Sequence, residues 1–140
     1  MTGTTEQDRI VETLCRFAQG IDIRDWQLLE SVFTDPFEYD YTSPGPGSGG
    51  IIRPGEGVDQ RRRRFETMTA TQHTMTNPRV QILGDTAHCR MYVEAWHFAE
   101  IAGTSRWCTI GASTTTTRPR RRPVAHRKLR WSDAGQRATR

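Results

Sequence analysis

The chain has 140 residues, enough for one domain around a single core, and only 34% of them are hydrophobic, so apolar positions must be placed economically. Its formal charge of +4 is unevenly spread: residues 1–117 carry 11 Arg and no Lys against 15 Asp and Glu, whereas 118–140 carry 9 Lys and Arg against Asp133 alone. The body is thus mildly acidic, which argues against a nucleic-acid partner. The three scattered cysteines, Cys15, Cys89 and Cys108, form neither a disulfide framework nor a CxxC metal set. The polar start MTGTTEQDR lacks a signal-peptide pattern, and no apolar run nears the ~20 residues that span a bilayer, so a cytoplasmic protein without a membrane partner is expected.

Thr4 and Thr5 are candidate N-caps for a first helix whose apolar stripe is Ile10, Val11, Leu14, Phe17, Ala18 and Ile21. Gly20 weakens its last turn without ending it. Asp25 is placed to cap a second helix that buries Trp26, Leu29, Val32 and Phe33, and Thr34-Asp35-Pro36 stops it. FEYDYTS then alternates, with Phe37, Tyr39 and Tyr41 on one face of a strand and Glu38, Asp40 and Thr42 on the other. Ser43 to Gly50 is a Pro/Gly/Ser loop suited to a lid. A helix is predicted around Val58–Met68, with Val58, Phe65 and Met68 inward and much of Arg61–Arg64 a solvated face.

From Thr71 the period changes to two, and strands are predicted at Thr71–Thr76, Arg79–Leu83, Thr86–Glu100 and Arg106–Ala112. Helices followed by a long antiparallel sheet make an α+β pattern. A curved sheet closed by the N-terminal helices would form a cone around an apolar pocket. Residues 113–123 break the pattern: a Thr run with Arg and two Pro makes a poor central strand. Such runs would follow from a local reading-frame slip in a GC-rich gene. Val124–Trp131 reads as strand again, giving one domain over 1–131 and a basic tail over 132–140.

Position selects the chemically useful residues. Asp22 lies four residues beyond Ala18, on the apolar face of the first helix, where a charge needs a partner. In Thr86–Glu100 the odd positions Ala87, Cys89, Met91, Val93, Ala95 and His97 form an apolar face ending in a histidine, while His88 lies on the other, solvated face. His73 shares a face with Met75. An Asp that braces one nitrogen of an imidazole leaves the other free to take a proton near neutral pH. A phenol such as Tyr41 can donate to an oxygen as negative charge develops. That set suits α-proton abstraction with elimination, or a double-bond shift, without metal or cofactor. No P-loop, GxGxxG or GxSxG pattern is present, and Asp22, His73 and His97 lack the local spacing of a metal triad.

FAQGIDIRDW, EYDYTS, TQHTMTNPRV and YVEAWHFAE, in that order over residues 6 to about 112, resemble the helix end and three strands of scytalone dehydratase and its SnoaL-like relatives in the NTF2-like superfamily. The late AHRKLRW is similar to the closing strand. The resemblance implies that Asp22 and His73 are the acid–base pair, Tyr41 the substrate-facing tyrosine and His97 the second pocket histidine. Ile21 stands where the fungal dehydratase has a second tyrosine, and Gly111 to Ser113 are nearest to its pocket asparagine, so scytalone itself is a doubtful substrate. An Asp–His pair is shared with hexachlorocyclohexane dehydrochlorinase and bile-acid dehydratase relatives.

The expected function is therefore a cofactor-free lyase, dehydratase-like, or isomerase acting on a small apolar substrate, aromatic or polycyclic. Phe37, Tyr39, Met75, Met91 and Val93 would line its pocket. A polyketide cyclase, a ketosteroid isomerase-type enzyme and a non-catalytic ligand-binding protein are the alternatives. The resemblance also implies a homodimer or homotrimer, because relatives bury the outer face of the sheet.

Overall fold

A computed structural model describes residues 4–40, 49–84, 86–101, 104–117 and 126–139, with side chains to residue 99. The first helix, α1 (Glu6–Asp22), starts at a capping box: the Thr5 side chain accepts from the Asp8 amide, and the Asp8 carboxylate accepts from the Thr5 amide. Ile10, Leu14, Phe17, Ala18 and Ile21 are buried along its inner stripe. Gly20 does more than tolerate the helix. A Cβ there would lie 2.9 Å from the Leu29 nitrogen, so its bare backbone lets α1 pack directly on α2 (Trp26–Ser31). Asp25 caps α2 by accepting from the Leu28 amide at 2.9 Å.

Phe33 belongs to the next strand rather than to α2: the helix ends at Ser31, and β1 (Phe33–Asp40) begins at once. Asp35-Pro36, read from sequence as a stop, lies inside that strand with a cis peptide bond. Part of the expected loop is also strand, because β2 (Gly49–Ile52) pairs antiparallel with β1. Residues 43–48 of that loop lie outside the described residues. The third helix, α3 (Pro54–Phe65), starts earlier and ends sooner than expected, with Pro54 in its first turn where a missing N–H costs nothing.

One strand, β3 (Ala70–Leu83), replaces the two expected there. Its register with β4 (Thr86–Ile101) runs Thr76↔Tyr92 and then Arg79↔Arg90, three steps against two. The extra residue is a bulge at Asn77, which has φ 53°. The bulge shifts the phase, so Thr71, His73 and Met75 face inward before it and Val80 after it.

β5 (Thr104–Thr117) pairs with β4 over its whole length and with β6 (His126–Thr139) beyond it. The expected break at 113 is thus absent as far as Thr117, while 118–125 lie outside the described residues. Strand β6 also crosses the boundary drawn at 131. The six strands are ordered β2-β1-β6-β5-β4-β3, antiparallel except for a parallel β1–β6 pair. The architecture is α+β, with helices packed on an open sheet that is compatible with a cone. One cluster from α1, α2, β1, β2, α3 and β4 forms the core. Arg61 departs from the solvated face of α3: its guanidinium lies 5.3–5.9 Å from the ring centres of Phe17, Phe33 and Phe37, while Arg62, Arg63 and Arg64 are exposed.

Candidate active site

Asp22 is the last residue of α1, and the helix stripe turns it toward β3. Its two oxygens engage one residue. Oδ2 accepts from the His73 backbone amide at 2.7 Å, and Oδ1 meets His73 Nδ1 at 2.7 Å. The side chain of His73 is only 3% exposed and that of Asp22 20%. Burial pushes the Asp22 carboxyl up, but hydrogen bonds from the His73 ring and backbone, the charge of that ring when it is protonated and the Thr71 hydroxyl together outweigh it. The carboxyl is held below its ordinary value of 3.8. An ionised carboxylate only accepts, so Nδ1 carries the hydrogen and Nε2 of neutral His73 keeps its lone pair. That is the tautomer a general base requires.

The β3–β4 register brings up the second histidine. His73 lies opposite Ala95 and His97 opposite Thr71, so the two histidines are diagonal neighbours on one face. Their ring centres are 5.7 Å apart. The Phe65 ring stands edge-on to both, at 6.3 Å from His73 and 5.4 Å from His97. His97 is 8% exposed, and its Nε2 has no hydrogen-bond partner among the described residues. Burial, aided by the charge of His73 when that ring is protonated and by Arg64, pushes its pKa down to about 4. His97 is therefore a neutral imidazole near pH 7.

The other expected site residues divide. Phe37, Met91 and Val93 are shut into the core, Phe37 stacked on Phe33 with ring centres 4.1 Å apart. Tyr39 and Met75 are partly buried against that core, and Met75 lies opposite Val93 in register. Tyr41 lies outside the described residues. His88 is half-buried rather than fully solvated, on the face opposite His97. Among the described residues no group of three or more His, Cys, Asp or Glu could hold a metal ion, and no helix is long and apolar enough to cross a membrane.

Two neighbours of the pair were not legible in the sequence. Phe65 was read only as core. Arg24 lies just past the helix with φ 61°, where neither period applies, and its side chain turns back over the site.

Helices laid on this six-stranded sheet make a fold of the NTF2-like kind, and the Asp–His pair lies at the end of the first helix. The SnoaL-like domain matches residues 4–123, and the chain belongs to that family. That match takes in the irregular stretch after residue 112. Among solved structures, the chain is similar to Kfla4162 of Kribbella flavida (TM-score 0.85, 20% identity, 94% of this chain and 93% of that one). It is similar to a scytalone dehydratase-like protein of Novosphingobium aromaticivorans (TM-score 0.80, 13% identity, 96% and 88%). It also resembles hexachlorocyclohexane dehydrochlorinase LinA type 2 (TM-score 0.78, 19% identity, 94% and 87%). At these identities the likeness is one of fold. No curated protein sequence matches.

Proposed function

We propose that the protein is a cofactor-independent lyase or isomerase in which His73 Nε2 removes an acidic C–H proton from a small, apolar, cyclic carbonyl, hydroxy or halogenated compound. The observation that carries this reading is the double engagement of His73 by Asp22, at 2.7 Å from both the ring and the backbone nitrogen. The carboxylate holds the base in its productive tautomer and stabilises the imidazolium formed by proton transfer. The carbanion or enolate then expels halide, or a hydroxyl that leaves as water by taking the proton back from the His73 imidazolium, or is reprotonated by that imidazolium at another carbon. Tyr41 is assigned the role of polarising the substrate oxygen. His97, neutral near pH 7, positions a substrate or leaving-group oxygen by hydrogen bonding and is not the acid that protonates it. Kinship in fold with a dehydrochlorinase and a dehydratase-like protein supports elimination over isomerisation.

The test is a panel of cyclic halides, β-hydroxy ketones and unconjugated enones, followed for elimination or double-bond migration and, in deuterium oxide, for C–H exchange. His73→Ala should lower the rate on any accepted substrate by at least ~10²-fold. A near-native rate in that variant would end the assignment. Tight binding without turnover of any class would leave a ligand-binding protein instead.

A further inference from the structure

Two contacts join the end of α1 to the start of β3. The first is Asp22 with His73. The second lies two residues past the end of α1 and two residues back in β3: Arg24 Nη1 donates to Thr71 Oγ1 at 2.8 Å. Arg24 also closes on its own helix end, through the Ile21 carbonyl at 2.5 Å, and on the end of α3, through the Phe65 carbonyl at 3.3 Å and the Met68 carbonyl at 3.5 Å. Its guanidinium carbon is 5.8 Å from the centre of the Phe65 ring. One side chain thus gathers three elements around the two histidines. Arg24 makes these contacts from the left-handed conformation just past the helix, where a non-glycine residue is costly unless its contacts offset the strain.

The hydroxyl between the rungs has a definite polarity. Arg24 can only donate, so Thr71 Oγ1 accepts from it and keeps its own proton for another acceptor. Thr71 lies opposite His97 in the sheet, and its hydroxyl is among the groups that hold the Asp22 carboxyl down.

We propose that Arg24 is a positioning residue for the dyad, tying the end of α1 to Thr71 at the start of β3 and so seating Asp22 against His73, which holds His73 in the tautomer with Nδ1 protonated. This rests on the function proposed above only in giving that tautomer a catalytic use. The contact pattern itself involves no substrate.

The test reads the His73 imidazole directly, by ¹⁵N NMR of the substrate-free protein at a pH where the ring is neutral. Wild type should show predominantly the Nδ1–H form. Arg24→Met and Thr71→Val should each lower the ratio of Nδ1–H to Nε2–H by about 5-fold, the worth of one hydrogen bond. Thr71→Ser should keep the wild-type ratio and Arg24→Lys should restore part of it. Because the two residues act in series, Arg24→Met should lower the ratio no further in a Thr71→Val background. Variants that lose melting temperature but keep the wild-type ratio would make Arg24 a structural clip and overturn the proposal, as would independent effects in the double variant. If Arg24→Met does not fold, the Thr71→Val and Thr71→Ser pair decides alone: equal ratios refute the proposal. Failure of the His73→Ala turnover test would leave this outcome untouched, so the two readings fail separately.

Discussion

His73 and His97 stand 5.7 Å apart, ring centre to ring centre, on one face of the sheet, yet among the described residues only His73 has a carboxylate against it. That asymmetry separates two like side chains into two roles. The paired ring has one nitrogen committed and the other available. The lone ring is kept uncharged by its surroundings.

The lone ring makes stability depend on pH in a defined window. His97 has a folded pKa of about 4 against an ordinary value of 6.5, so between those values the unfolded chain binds the proton more readily. Stability should fall as pH drops from about 6.5 to about 4 and this contribution should level off below that. The size is on the order of 1–3 kcal/mol. Urea unfolding of wild type and His97→Phe across pH 4–7 checks it: the variant should show the shallower slope, and identical slopes would contradict the assignment. Asp22 acts in a separate window, because its lowered pKa costs stability only as pH falls below its ordinary 3.8.

Asp22→Asn should preserve the fold and damage the chemistry. An amide can still accept from the His73 backbone, but its NH₂ group, turned to Nδ1, favours the opposite tautomer. On any substrate that wild type accepts, turnover should fall by at least ~10²-fold, with binding changed much less. Steady-state rates beside a far-ultraviolet circular dichroism spectrum would separate this from unfolding.

Gly20→Ala sets two effects of known sign against each other. Alanine gains about 0.5–1 kcal/mol of helix propensity. Its Cβ, however, would sit 2.9 Å from the Leu29 nitrogen and 3.0 Å from its Cα, both backbone atoms that cannot swing aside. Overpacking of this kind costs about 1–3 kcal/mol. The clash should win, and thermal unfolding should show a lower midpoint; a raised midpoint would mean that α1 and α2 can separate freely.

Asn77→Val probes the bulge in β3. Asparagine accepts φ 53°, whereas a β-branched residue there costs roughly 1–2 kcal/mol. Since the bulge sets which face His73 presents, the substitution should lower stability in denaturant titration. Asn77→Gly should be nearly neutral by the same measure.

How far the sequence disclosed this arrangement depends on what each element asks of its side chains. Strand β4 was legible because one face is core: Ala87 to His97 at odd positions are all buried, and alternation needs no other information. Asp22 was legible because helical spacing from Ala18 is rigid. The bulge at Asn77 was not, since one added residue reverses the phase while leaving each half-strand looking regular. Strand β2 was hidden by its four-residue length beside a Gly/Pro-rich stretch. Arg61 and Arg24 escaped for a shared reason: pattern reading sends a guanidinium to solvent, and here aromatic rings and helix-end carbonyls receive it. The Thr-rich end of β5 shows the converse, for backbone pairing with a strand on either side does not require alternating apolar residues.

The strand order carries a consequence for assembly. β6, the latest of the six described strands, lies between β1, the earliest, and β5. Without it the sheet is two separate pieces, an early hairpin and a later three-stranded meander, with no hydrogen-bonded link between them. Before this segment is in place the early hairpin and the later meander are joined only through the side-chain core and the helices, so removing residues 126–139 would take out the strand that makes one sheet of them.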